Sequence, residues 1–200
     1  FVQGYASTET AMFVAVLDKA DHRTDSERAI KRLSSAGRVT PGVEVFITDA
    51  EGSVLPTGQT GEIRIRCRAL IQGYYGNPEG TAKEFEDDAW KSGDLGYLDE
   101  DGFLYIVDRL KDMIISGGFN VYAVEVEAAL ATHPAVLMSA VVGVPHPDWG
   151  EAVHAEVMLR PGASVAEKEL IEHVRNRLGG YKAPKTLSFV DNLPLSAVGK

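Results

Sequence analysis

The sequence predicts an α+β fold. A small antiparallel, β-barrel-like subdomain is expected at about residues 36–108. A small α+β domain follows, with a three-stranded sheet and flanking helices. Three observations carry this reading. Val43, Val45 and Ile47, then Ile63, Ile65 and Cys67, alternate with other side chains as in half-buried strands. Turn clusters separate these runs at the short spacing of a small antiparallel sheet or barrel. Beyond about residue 110 helical spacing enters, with Leu170, Ile171, Val174 and Leu178 along one face. The change of pattern places a domain boundary within residues 92–127.

Taken in order, Gly4 followed by Ser7, Thr8, Glu9 and Thr10 reads either as a strand running into a hydroxyl-rich loop or as the cap of a short helix. Residues 18–34 are weakly patterned and read as a surface loop or poor helix. Asp49-Ala50-Glu51-Gly52 is a hairpin turn. Arg64, Arg66 and Arg68 fall on the solvated face of the second strand. Asn77-Pro78 starts a helix expected to reach about Asp88, since Asn caps and Pro suits the first position. Ser92-Gly93-Asp94 reads as an acidic turn, and Phe103–Val107 as a strand. Ala123 to about His133 is a helix with Val124, Ala128 and Ala131 on one side. Val136–Val144 suits a buried strand and Ala152–Leu159 an alternating one. Ser164 to Glu167 has the form of a capping box, and Gly179-Gly180 ends the helix it starts. Lys185–Val190 is the last strand.

Composition narrows the function classes. Of 200 residues, 44% are hydrophobic and 24% charged, as in ordinary globular proteins. No uncharged apolar run approaches the ~20 residues of a membrane-spanning helix, and the first ten residues lack the pattern of a signal peptide. The net charge of −9, from 29 acidic and 20 basic residues, is dispersed and argues against nucleic acid as a partner. The single cysteine, Cys67, can form no disulfide within the chain and lacks the spacing of a zinc site, so a reducing, cytoplasmic setting is expected. Cys67 is expected to pack in a core. His146 has no second ligand at metal-binding spacing and reads as a loop histidine. The absent initiator Met and the ending at Lys200 in a glycine-containing loop read as cuts from a longer protein.

Five segments, in order, carry a resemblance: QGYASTE at 3–9, GEIRIRCRALIQGYYGNPEGT at 61–81, WKSGDLGYLDEDGFLYIVDRLKDMIISGGFNVY at 90–122, EVE at 125–127 and PLSAVGK at 194–200. Together they resemble the adenylate-forming (AMP-binding) enzymes, a superfamily of acyl-CoA synthetases, peptide-synthetase adenylation domains and firefly-type luciferases. SGGFNVY favours the acyl-CoA synthetase branch. The resemblance implies that residues 1–109 are the end of a large AMP-binding domain and 110–200 a mobile C-terminal domain. The Ser/Thr/Gly-rich phosphate loop of the family is not found in this sequence.

The implied reaction joins a small carboxylic acid to ATP, giving an acyl-adenylate and pyrophosphate. Coenzyme A then displaces AMP. The resemblance places Asp94 and Arg109 at the ribose, Tyr5 beside adenine, Thr8 at phosphate and Glu9 at Mg²⁺. It makes Lys200 the catalytic lysine, with Thr8 and Glu9 as further catalytic residues. Lys111 falls at the hinge, and Gly117 and Gly118 near the thiol's entry path. Two positions depart from the family's usual pattern: Ala6 where a glycine is frequent and Ala123 where a proline is. Two other readings stay open: an adenylation domain that loads a carrier protein, and a nucleotide-binding module without catalysis. The acyl substrate and the oligomeric state are not encoded in recognisable form.

Overall fold

The computed structural model describes residues 1–194. The chain forms two compact units, Phe1–Leu110 and Lys111–Lys200. Both are mixed α+β, built on sheets of mostly antiparallel strands.

The first unit is an eight-stranded sheet with two short helices. Its strands are β1 (Gln3–Ala6), β2 (Phe13–Leu17), β3 (Gly37–Val39), β4 (Val43–Thr48), β5 (Gly61–Cys67), β6 (Phe85–Glu86), β7 (Ala89–Leu98) and β8 (Phe103–Arg109). The helices are α1 (Glu27–Arg32) and α2 (Pro78–Glu84). The strand order is β1-β2-β3-β8-β7-β5-β4, with β6 beside β7. The expected barrel-like form is thus an open sheet whose ends are β1 and β4; closure would need a ladder between them, and none is present among the described residues. The alternating runs pair as expected, Val43 opposite Cys67 through Thr48 opposite Glu62. They bury Ile47, Ile63 and Ile65 with Val14, Ala15, Ala36, Trp90 and Leu104.

Two tight turns repeat one device. Asp49 Oδ1 accepts from the amides of Glu51 and Ser53 at 3.1 and 2.8 Å, with Gly52 at φ +86°. Asp99 Oδ1 accepts from Asp101 and Phe103 at 2.9 Å each, with Gly102 at φ +75°. The aspartate satisfies turn amides and the glycine takes the left-handed conformation at no steric cost.

Ser92-Gly93-Asp94, expected as a turn, lies inside β7. The partner register explains it. Glu62 pairs with Leu95 and Arg64 with Lys91, so β7 carries extra residues between the two pairs. Gly93 takes φ +68°, and Ser92 Oγ donates to the Ile63 carbonyl at 2.7 Å. A turn-like signal inside a strand is what a β-bulge leaves in a sequence.

Other differences follow from short range. The apolar run of β2 was not foreseen as a strand. Helix α2 stops at Glu84 rather than Asp88, where Asp87 and Asp88 take positive φ. Arg64 is not solvated: its side chain is only 13% exposed and pairs with Glu86 at 3.0 Å.

The second unit holds β9 (Ile114–Ser116), β10 (Phe119–Val121), α3 (Ala123–Ala131), β11 (Val136–His146), β12 (Gly150–Leu159), α4 (Glu167–Leu178) and β13 (Thr186–Phe189). The expected three strands, β11, β12 and β13, are present, and the β9–β10 hairpin extends the sheet to five. Strands of three residues are too short to show alternation. β11 and β12 form a long antiparallel pair, and α4 carries the chain over to β13, parallel to β12. Val126, Leu130, Val141, Val153, Val157, Leu170 and Val174 form its core. The face expected for α3 is corrected: Val124, Ala128 and Ala131 are exposed, and Ala123, Val126, Ala129 and Leu130 are buried. The expected capping box does not form, because α4 begins two residues later, with Ala166 rather than Ser164 at its cap.

Candidate functional site

Asp94 and Arg109 are direct partners in the β7–β8 register. Arg109 Nε lies 3.8 Å from Asp94 Oδ1, with the guanidinium largely exposed and the carboxylate mostly covered. The Tyr5 hydroxyl donates to Asp94 Oδ2 at 2.6 Å, and the Asp94 amide donates to Ser92 Oγ at 3.1 Å. β1 and β7 are four steps apart in the sheet order. On a flat sheet that is about 19 Å, beyond a tyrosine's reach. The sheet therefore curls until its first strand overhangs β7.

Burial, and after it the bond to Asp94, pushes the Tyr5 hydroxyl well above the usual tyrosine range. Tyr5 remains a neutral donor at ordinary pH. Asp94 keeps Oδ1 turned toward an exposed guanidinium. The pair offers an acceptor beside a donor fork, an arrangement suited to vicinal hydroxyls.

The Ser7–Thr10 segment forms a tight hydroxyl turn, not a helix. Thr10 is fully buried; its Oγ1 donates to the Ser7 and Met12 carbonyls at 3.1 and 2.9 Å. This turn exposes Thr8 and leaves Glu9 half-buried. The Ile71 amide holds the Glu9 carbonyl at 3.0 Å. The Tyr74 hydroxyl lies 2.9 Å from Glu9 Oε1 and 2.5 Å from Glu84 Oε2. Tyr74 is pushed above its usual range, first by burial and then by Glu84 and Glu9. Sequence reasoning missed Tyr74 and Glu84. Gly73-Tyr74-Tyr75-Gly76 carries only a loop signal, and a glutamate ending a helix carries none.

Mg²⁺ takes oxygen ligands and keeps several waters. The Glu9 carboxylate and the adjacent Thr8 hydroxyl supply oxygen donors of that kind, so the residues present fit such an ion. Among the described residues no group of three or more His, Cys, Asp or Glu side chains could hold a metal by itself. His146 ends β11 and stacks on Trp149, with ring centroids 4.2 Å apart. Cys67 is part-buried, with Sγ 3.9 Å from the Thr10 carbonyl.

In the second unit, Gly117 and Gly118 form the two-residue loop of the β9–β10 hairpin. Their φ values of +61° and +82° are those of a type I′ turn, which requires positive φ at both positions. The Gly117 amide donates to the Trp149 carbonyl at 3.0 Å. Both glycines are exposed, and a Cβ on Gly118 would meet nothing within 4 Å. Lys111 is exposed in a 3₁₀ turn and is the first residue of this unit. Lys200 lies outside the described residues.

Comparison with known proteins gives the family of the chain. Residues 1–75 match the family model of the AMP-binding enzyme, and residues 125–200 that of the AMP-binding enzyme C-terminal domain. A feruloyl-CoA synthase of an Amycolatopsis species is 42% identical over 200 residues, all of this chain and 39% of that protein. A medium/long-chain-fatty-acid–CoA ligase, FadD8 of Mycobacterium tuberculosis, is 42% identical over 207 residues, covering all of this chain and 35% of that protein. The o-succinylbenzoate CoA synthetase of Bacillus subtilis, solved with its acyl-adenylate intermediate, superposes with a TM-score of 0.87 at 35% identity. That match covers 100% of this chain and 39% of the synthetase. The same synthetase has been solved with ATP and magnesium ion. This chain thus spans well under half the length of the proteins it matches. With two consecutive domain models matched in family order, the chain belongs to the AMP-binding, adenylate-forming enzyme family.

Proposed function

We propose that the chain is part of an AMP-forming acid–thiol ligase, an ATP-dependent acyl-CoA synthetase. The observation that carries this is the Tyr5–Asp94–Arg109 cluster, built by strand register on a chain similar to CoA ligases. A carboxylate attacks the α-phosphate of ATP, pyrophosphate leaves, and the CoA thiol then displaces AMP from the acyl-adenylate.

In this reading Asp94 accepts the ribose hydroxyls, and Arg109 donates beside it. Tyr5 holds Asp94 Oδ2 and flanks the adenine. Thr8 donates to a phosphate oxygen. Glu9 supplies a carboxylate to Mg²⁺, whose bound charge offsets that of the phosphates. Lys200 carries a compact positive charge to the attacking carboxylate and α-phosphate. Gly117 and Gly118 leave the backbone open to a pantetheine arm. Lys111 lies at the hinge between the large domain, which would end at 109, and a mobile domain of 110–200. We further assign the enzyme to the cytoplasm, on its single cysteine, which has no disulfide partner within the chain, and to fatty-acid-type substrates, a reading supported by its similarity to a medium/long-chain-fatty-acid–CoA ligase.

The test is carboxylate-dependent pyrophosphate release by the full-length protein across a panel of fatty and aromatic acids, followed by CoA-dependent AMP release. Pyrophosphate release without CoA turnover would favour a carrier-protein-loading adenylation domain. No pyrophosphate release with any acid, together with tight AMP binding, would favour a non-catalytic module. The 200-residue chain alone is expected to release none, because the family's phosphate loop is not in its sequence.

A further inference from the structure

Tyr74 sits between two carboxylates that no part of the reading above uses together. Its hydroxyl has one hydrogen to donate, yet Glu9 Oε1 and Glu84 Oε2 lie at 2.9 and 2.5 Å from it. Trp90 Nε1 donates to the same Glu84 oxygen at 3.4 Å. The tyrosine is held on its other sides. Its amide donates to Thr81 Oγ1 at 2.9 Å, and its ring meets Phe85 edge-on, with centroids 5.7 Å apart. Glu84 is fixed in turn as the last residue of α2, which Asn77 caps by accepting from the Gly80 amide at 2.8 Å. A rigid hydroxyl thus shares its hydrogen between one oxygen of Glu84 and one of Glu9.

We propose that Tyr74 and Glu84 are positioning residues for Glu9: the single Tyr74 hydrogen, shared between Glu84 Oε2 and Glu9 Oε1, holds Oε1 of Glu9 and leaves Oε2 for a divalent cation. The proposal rests on the reading of Glu9 as the Mg²⁺ carboxylate. Groups that orient a metal ligand without touching the metal commonly change metal affinity 10–100-fold when removed. Glu84 adds a second negative charge on the same hydroxyl, which draws a cation toward Glu9 as well as orienting it.

The experiment uses the full-length protein and Mn²⁺ as the probe. Free Mn²⁺ is read by its paramagnetic resonance signal in the presence of a non-hydrolysable ATP analogue. AMP affinity without metal is measured alongside by calorimetry. Tyr74→Phe keeps the ring and removes only the hydroxyl. It should weaken Mn²⁺ binding about tenfold and leave metal-free AMP affinity unchanged. Glu84→Gln should weaken Mn²⁺ binding less, in the same direction. If Tyr74→Phe proves poorly folded, Glu84→Gln, nearly isosteric and half-buried, decides the matter. Wild-type Mn²⁺ affinity in both variants, with affinity lost in Glu9→Gln, would overturn the positioning role and leave the reading of Glu9 intact. Wild-type affinity in Glu9→Gln would overturn that reading and the proposal together.

Discussion

The Tyr5 hydroxyl donates to Asp94 Oδ2 at 2.6 Å across 89 residues of chain. It joins the first strand of the sheet to a bulge in the seventh. The bond ties the nucleotide reading to stability as well as to binding. Tyr5→Phe leaves a mostly covered carboxylate oxygen without its donor. Hydrogen bonds to charged groups are worth about 1.5–3 kcal/mol, so a loss of that size is expected in denaturant unfolding of the chain. AMP affinity of the full-length protein should fall with it.

Asp94→Ala should act on the nucleotide more strongly. It removes both acceptor oxygens at once, and AMP affinity, read by calorimetry, is expected to drop about 10–100-fold at about 1.4 kcal/mol per decade. Asp94→Asn keeps an acceptor and the bulge, and should lose less.

Gly37 is a packing requirement of the first unit. At φ +103°, an added Cβ would lie 1.9 Å from the Val16 carbonyl carbon, where β3 meets β2. Gly37→Ala is expected to cost roughly 3 kcal/mol from overpacking and backbone strain combined. A loss of less than about 1 kcal/mol in urea unfolding would show that β2 and β3 can separate.

The second unit should lose stability in mild acid through His173. Its Nε2 faces Thr132 Oγ1 at 2.8 Å and the Ala129 carbonyl at 3.2 Å. Because the Thr132 hydroxyl already donates to that carbonyl, Nε2 carries the proton and Nδ1 faces Arg177 at 3.5 Å. His133 packs edge-on 5.0 Å away and lies 3.6 Å from Glu169. Burial first, then Arg177, holds His173 below its usual range. The unfolded chain therefore takes up this proton at higher pH than the folded one. The sign follows: stability from this group is full above the unfolded value of about 6.5 and falls as pH drops below it, levelling once the folded form also protonates. His173→Gln should flatten that part of a stability–pH curve measured between pH 8 and 5.

Gly118→Val tests the thiol path separately from adenylation. Valine at positive φ costs about 1–3 kcal/mol, placed at the tip of the β9–β10 hairpin. CoA thioester formation should slow about tenfold while pyrophosphate release stays near wild type. Equal losses in both halves would remove the glycine pair from the thiol's path.

Much of this was legible in sequence because it is local. The β4–β5 hairpin shows itself by alternation, α2 by Asn77-Pro78, and α4 by Leu170, Val174 and Leu178. The bulge was misread because Ser-Gly-Asp has the same composition in a turn and in a kinked strand; only the partner register separates them. The α3 face was misread because alanines on both sides weaken its stripe. Of the candidate site, the family motifs named Tyr5, Glu9, Asp94 and Arg109 residue by residue. Tyr74 and Glu84 escaped because their meeting with Glu9 depends on the curl of the sheet and on where a helix stops.

The bulge at residues 92–94 has an evolutionary corollary. It takes Asp94 out of the in–out alternation that commits Trp90 and Leu95 to the interior. What folding asks of residue 94 is therefore an acceptor for the Tyr5 hydroxyl rather than an apolar side chain for the interior. Shortening the strand by one residue at Gly93 would put this acceptor on the wrong face, since a one-residue slip swaps every inward and outward position beyond it.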